Sequence, residues 1–184
     1  PCGYRSVMVM QLAEKHYGVP GLAEKLRKKH GRKLIRPKET DLLALLEAGE
    51  IDYLFIYRSV AEQHKLKMVL LPDEVNLKSP RLAKLYRTAT VQVTGKKPGQ
   101  LITRRGEPMV YSITIPKRAP NPRLAEAFVA FLLSPAGRKI IAQNGQPFLE
   151  DPGSLLEIET DSRVLPAHPV LGIAHPRAQD GAAA

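Results

Sequence analysis

Residues 36–59 read RPKETDLLALLEAGEIDYLFIYRS, and the arrangement of the chain follows from them. Thr40 stands where an N-cap belongs, Leu42, Leu43, Leu45 and Leu46 give a short helix its apolar side, and Gly49 sits where a helix ends with positive φ. Ile51 to Tyr57 is nearly continuous apolar and rich in β-branched and aromatic side chains, as a strand covered on both faces should be. Tyr57, Arg58 and Ser59 lie where that strand opens into a loop. Ligands of open α/β sheets collect beyond the carboxyl ends of strands, so the Tyr57 hydroxyl is directed toward a binding place. Glu39, just ahead of the helix, faces the same cleft in this reading.

Working outward, residues 4 to 17 read as a helix with Val7, Met8, Met10, Leu12, Ala13 and Tyr17 on a broad apolar side and Gly18 at its end. Backbone N–H groups of Gly3, Tyr4, Arg5 and Ser6 are then free to meet an anion, with Arg5 and the Ser6 hydroxyl adding donors. The same pattern describes an ordinary solvated helix start. Gly21 to Lys29 forms a second, basic helix. Beyond Tyr57 come a helical turn at 60–64 capped by Ser59, a strand from Leu66 to Leu71, a loop from Asp73 to Pro80, a weak helix at 81–87, and a strand from Ala89 to Thr94. Lys96 to Gly106 is an exposed hairpin or loop, and Met109 to Ile115 a strand closed by Pro116. Asn121 and Ser134 then cap two helices, each with proline at its first position. Alternation of helix and strand argues for an α/β layered domain.

The 184 residues suffice for one good core or two lobes that share elements. No apolar run is long enough to span a membrane. The opening Pro-Cys-Gly-Tyr-Arg-Ser runs straight into a helix, and the chain reads as a fragment, with a signal sequence neither shown nor excluded. A formal charge of +10 points toward anions, and the basic side chains are densest between Lys25 and Lys38. No aromatic residues interleave there for base stacking, so that run reads as a solvated face and no nucleic-acid partner is expected. Cys2 is the sole cysteine, which rules out an internal disulfide, and no base accompanies it as it would a nucleophile. The five histidines never take the paired helical spacing of a zinc site. A hydrolase elbow, a Walker loop and a dinucleotide fingerprint are all missing, so an enzyme is not expected. Glu50 and Asp52 alternate around Ile51 and read as solvent-facing charges. What remains is an anion-binding constellation drawn from several loops: residues 3 to 6, Glu39 with Thr40, and Tyr57 with Ser59.

Several runs in order carry a resemblance: PCGYRS (1–6), the stretch 36–59, LPDEVNL (71–77), PMVYSITIP (108–116) and FVAFLLSPAGRKII (128–141). Over about residues 1–150 the chain resembles the archaeal-type molybdate/tungstate-binding proteins of ATP-driven importers. The resemblance implies a type II periplasmic-binding fold, with residues 1–110 forming most of lobe 2 and 111–150 a hinge strand and helices returning to lobe 1. The stretch 151–184 departs from the pattern and is expected to be a partly disordered extension. It implies further that Cys2, Gly3 and Tyr4 offer N–H groups at a helix start, that Tyr57 is the binding tyrosine, and that Glu39 is one of two carboxylates that complete an octahedral shell on the metal. The other carboxylate and the lobe 1 serines are expected upstream of Pro1. The implied protein is an extracytoplasmic monomer that passes tungstate or molybdate to an ABC permease, with the oxyanion as ligand and no cofactor. A cytoplasmic ligand-sensing domain of a transcription regulator uses the same fold and is the alternative. Tungstate and molybdate are too alike in size for the sequence to separate them.

Overall fold

The computed structural model describes residues 2–31, 34–111, 113–148 and 171–175. Two helices lead, α1 (Cys2–Tyr17) and α2 (Leu22–His30), joined by a short turn in which Gly18 and Gly21 take positive φ. Helix α3 (Glu39–Glu47) follows, ends at Gly49 with φ 73°, and returns into strand β1 (Leu54–Tyr57). The helix begins two residues earlier than the capping pattern suggests. Lys38 is its extended N-cap, and Thr40 lies inside the first turn. Acidic Glu39 and Asp41 occupy that turn, where the helix dipole favours negative charge.

Helix α4 (Arg58–Gln63) starts directly after Tyr57, which is its N-cap in place of Ser59, and strand β2 (Lys67–Leu70) comes next. The stretch read as a loop, Asp73 to Pro80, instead opens with helix α5 (Asp73–Asn76), and a 3-10 turn at Pro80–Leu82 leads into helix α6 (Ala83–Tyr86). A four-residue helix shows no periodicity, and α5 is held by tertiary bonds. The Asn76 amide donates to Leu71 O and Asp73 Oδ1 at 2.9 and 3.0 Å, while the Tyr86 hydroxyl donates to the Asp73 carbonyl.

Strands β3 (Thr90–Thr94) and β4 (Leu101–Arg105) pair antiparallel as a hairpin, which decides between the two readings of residues 96–106. A side-chain clamp ties this hairpin to α1: Gln11 donates to Thr90 O and accepts from Thr90 N–H, both at 2.9 Å. The strand expected at Met109–Ile115 does not form among its described residues, apart from a single bridge position at Tyr111. Met109 is buried, and its N–H donates instead to Leu77 O at 2.9 Å, pinning the chain to the segment after α5. Helices α7 (Pro122–Leu133) and α8 (Pro135–Gln143) follow as read, with the Ser134 hydroxyl accepting from Gly137 N–H.

The larger sheet has the order β1-β5-β2, where β5 is Leu171–His175 and pairs antiparallel with both neighbours. Within residues 151–184, read as a partly disordered extension, Leu171–His175 form the middle strand of this sheet. The call of partial disorder for the remainder falls on residues outside those described. A strand this short, containing a glycine, has no sequence signal of its own, and its place comes from pairing on two sides.

Two apolar clusters carry the packing. One joins Met8, Val9 and Leu12 of α1 to Val75, Leu77, Tyr86, Ala89 and Met109, and the other joins Leu43 and Leu46 of α3 to Leu54, Ile56 and Ala61. The first takes one side of Tyr57 and Phe55, and the second takes Leu54 and Ile56, so β1 is packed from both faces. No described helix is long and apolar enough to cross a membrane.

Candidate functional site

Strand β1 sets the site because it ends on Tyr57. A helix that packs on the strand it leads into through a tight turn runs antiparallel to it, so the Glu39 end of α3 and the Tyr57 end of β1 lie at the same edge of the sheet. Helix α1 packs on β1 as well, and its first turn is brought to Tyr57 by a hydrogen bond from Arg5 Nη1 to Tyr57 Oη at 2.8 Å. Helices α1 and α3 both pack on β1, and α1 reaches its carboxyl end through this bond.

The α1 start carries the positive end of a 16-residue helix. Cys2, Gly3, Tyr4 and Arg5 form its first turn, whose N–H groups have no partner within the helix, and no acidic residue sits there to neutralise the positive end. Gly3 is exposed with open space around it. The Tyr4 ring packs against the first cluster, and the Arg5 guanidinium carbon lies 5.5 Å from its centroid. Nothing is described of the Cys2 side chain. Burial works against the charge on Arg5, but the hydrogen bond to Tyr57 and the proximity of Tyr57, Tyr4 and Glu107 outweigh it and raise its pKa.

Glu39 contributes an unusual atom. Its Oε1 is shut off from solvent and meets no hydrogen-bond donor among the described residues. A buried acceptor left unmade costs about 1–3 kcal/mol, more for a charged group, and native proteins leave few of them. Glu39 as a whole is half-buried, so this oxygen is covered while the rest of the side chain reaches the surface. Ser59 is buried behind Tyr57, and a Cβ added to Gly145 would stand 2.7 Å from Ser59 Cα, so the end of α8 closes against this corner.

Residues 1–146 match the family of bacterial extracellular solute-binding proteins. The chain belongs to that family. It is 55% identical over 152 residues to an uncharacterized solute-binding protein of Petrotoga mobilis, covering 83% of this chain and 47% of that protein. It is 45% identical over 171 residues to the molybdate/tungstate-binding protein WtpA of Thermococcus kodakarensis, covering 83% and 47%. With the protein of the same name from Pyrococcus abyssi the identity is 46% over 173 residues, covering 83% and 48%. The chain spans about half the length of the curated relatives it matches. These named relatives are solute-binding proteins, which accords with a binding role and not an enzymatic one.

Of the residues singled out in the sequence, the first turn of α1 and Tyr57 are brought together by the Arg5–Tyr57 bond. Two contacts were not visible in sequence. Arg5 and Tyr57 are separated by 52 positions and meet only through the packing of α1 on β1. Glu107 reaches the neighbourhood of Arg5 from the segment after β4. In the basic run, Lys25, Arg27, Lys28, Lys29, Arg36 and Lys38 are all exposed, Lys28 pairs with Glu24, and Lys38 is the N-cap that precedes Glu39. Glu50 and Asp52 are exposed, as read. No cluster of metal-ligating side chains is found among the described residues.

Proposed function

We propose that this chain is the ligand-gripping part of an extracytoplasmic solute-binding protein of type II periplasmic-binding architecture, which captures tungstate or molybdate and hands it to an ABC permease. In this reading the oxyanion is received by the first-turn N–H groups of Cys2, Gly3 and Tyr4 and by the Tyr57 hydroxyl, while Glu39 bonds through a carboxylate oxygen to the tungsten or molybdenum. The protein does no chemistry on it and uses no cofactor. Support comes from the names of the Thermococcus and Pyrococcus relatives and above all from the buried, donorless Glu39 Oε1.

The physical case rests on charge. A carboxylate beside a dianion repels it unless the carboxylate oxygen bonds the electron-poor centre itself, and tungsten and molybdenum have room to take further oxygen ligands. Sulfur in sulfate does not expand its shell this way, so the same carboxylate that welcomes tungstate rejects sulfate. Grip by dipoles and hydroxyls, with no lysine on the anion, keeps release possible when the cleft opens.

Calorimetric titration of the intact protein tests the reading. Wild type is expected to bind tungstate and molybdate and to ignore sulfate. Glu39→Gln preserves shape but removes the anionic ligand, and should weaken tungstate binding roughly a hundredfold, as loss of a charged interaction of about 2–3 kcal/mol does. Tyr57→Phe should weaken it about tenfold. Affinities unchanged in both variants overturn the assignment.

A further inference from the structure

We infer that Arg5 is a positioning residue for the oxyanion site: its guanidinium holds the Tyr57 oxygen as an acceptor, so that the phenol is fixed as a hydrogen-bond donor toward the bound anion. The inference deepens the reading above and rests on Tyr57 being a ligand-binding group.

Arg5 Nη1 lies 2.8 Å from Tyr57 Oη, and an arginine only donates, so the oxygen accepts in this bond. A phenol that accepts from one side directs its own O–H elsewhere, whatever else its oxygen meets. An oxyanion offers acceptors only. A hydroxyl free to rotate spends part of its time presenting a lone pair to such a ligand, which repels it, whereas a hydroxyl whose lone pair is engaged by a cation presents its hydrogen. A cation on the oxygen also polarises the O–H and strengthens its donation.

Both ends of the bond are anchored. The Tyr57 ring packs on the cluster of Met8, Leu12, Val75 and Tyr86, and Tyr4, packed on that same cluster, carries the Arg5 guanidinium over its face at 5.5 Å. Arg5 keeps its charge in spite of burial, with Tyr57, Tyr4 and Glu107 as the groups that face it. The apolar core thus sets the guanidinium, and the guanidinium sets the phenol. Arg5 acts on the ligand through Tyr57, so its effect should vanish when the phenol is gone.

A double-mutant cycle on the intact protein reads this directly. Arg5→Met should weaken tungstate binding about tenfold in the wild-type background and less than about twofold in the Tyr57→Phe background, because contributions that pass through one shared group do not add. An Arg5→Met effect of equal size in both backgrounds means that Arg5 meets the anion by itself and overturns the inference, as does no effect in wild type. A ligand-free readout runs alongside. With tyrosine labelled at its ζ-carbon, the resonance assigned to Tyr57 by its loss in Tyr57→Phe should shift in Arg5→Met, while those of exposed Tyr17, Tyr53 and Tyr111 stay in place and report an intact fold. An unmoved Tyr57 signal overturns the inference. If Arg5→Met does not fold, Arg5→Ala replaces it in both measurements with the same expected directions, whereas Arg5→Lys, which still offers a cationic donor to the Tyr57 oxygen, should keep more of the affinity than either. Should Tyr57→Phe bind tungstate as well as wild type, the site assignment itself fails, a result separate from the tyrosine signal.

Discussion

Removing one buried oxygen from the core beneath Tyr57 and Tyr4 tests how the fold is held together. Tyr86 is wholly buried, its hydroxyl donates to the Asp73 carbonyl, and it accepts from Ser79 N–H at 3.0 Å. Those two bonds clamp α5 to α6 across the turn between them. Tyr86→Phe leaves the ring and removes both bonds, stranding a carbonyl and an N–H, which should cost about 2–4 kcal/mol at neutral pH. The same phenol has its pKa pushed from 10.0 up to about 12, first by burial and then by the carboxylates of Asp73 and Glu74. An unfolded chain ionises this phenol at its ordinary value while the folded chain resists. The contribution is therefore complete below about pH 10 and is lost as pH rises to about 12, a loss of about 2–3 kcal/mol at 1.4 kcal/mol per pH unit. Urea midpoints followed by circular dichroism at increasing pH check both claims. Wild type should lose stability faster than Tyr86→Phe between pH 10 and 12, so that the gap between them narrows. Parallel curves would refute the reasoning, because they would place the alkaline loss on other groups, such as the many lysines.

Two further predictions concern packing. Leu46 has no exposed surface and fills the space between α3 and Leu54, Ile56 and Ala61, so Leu46→Ala should lower stability by about 2–5 kcal/mol with the denaturant slope unchanged; a loss under 1 kcal/mol would mean that the α3–β1 contact is not a core. A Cβ at Gly106 would stand 2.2 Å from the Tyr86 carbonyl oxygen, which is backbone and cannot swing away, so Gly106→Ala should cost about 3 kcal/mol or more and lower the melting temperature; an unchanged melting temperature would deny that close approach.

Much of the corner around Tyr57 was legible in the sequence, because it is built from local signals. Leucine spacing gave α3, Gly49 gave its end with φ 73°, and an unbroken apolar run gave β1 with Tyr57 as its last residue. The start of β1 was read too early because Ile51 is apolar, yet Asp52 and Tyr53 stay exposed and lie outside the β1–β5 register, which starts at Leu54. What escaped depends on contacts distant in sequence. Helix α5 is too short to show a period and exists through Asn76 and Tyr86. Met109–Ile115 has the composition of a strand, but composition does not supply a neighbour, and the Met109 N–H found Leu77 instead. β5 was hidden for the converse reason: a weak segment becomes the centre of a sheet because β1 and β2 both offer it an edge. The Arg5–Tyr57 bond belongs to the same class, since neither residue signals the other.

The central claim is that a protein carboxylate bonds the metal of the captured anion, and X-ray absorption at the tungsten L-edge measures this most directly. The intact protein loaded with tungstate should show an expanded, near-octahedral oxygen shell around tungsten, and Glu39→Gln should lose one of its oxygens. A tetrahedral shell in the wild type, identical to that of free tungstate, would contradict the account.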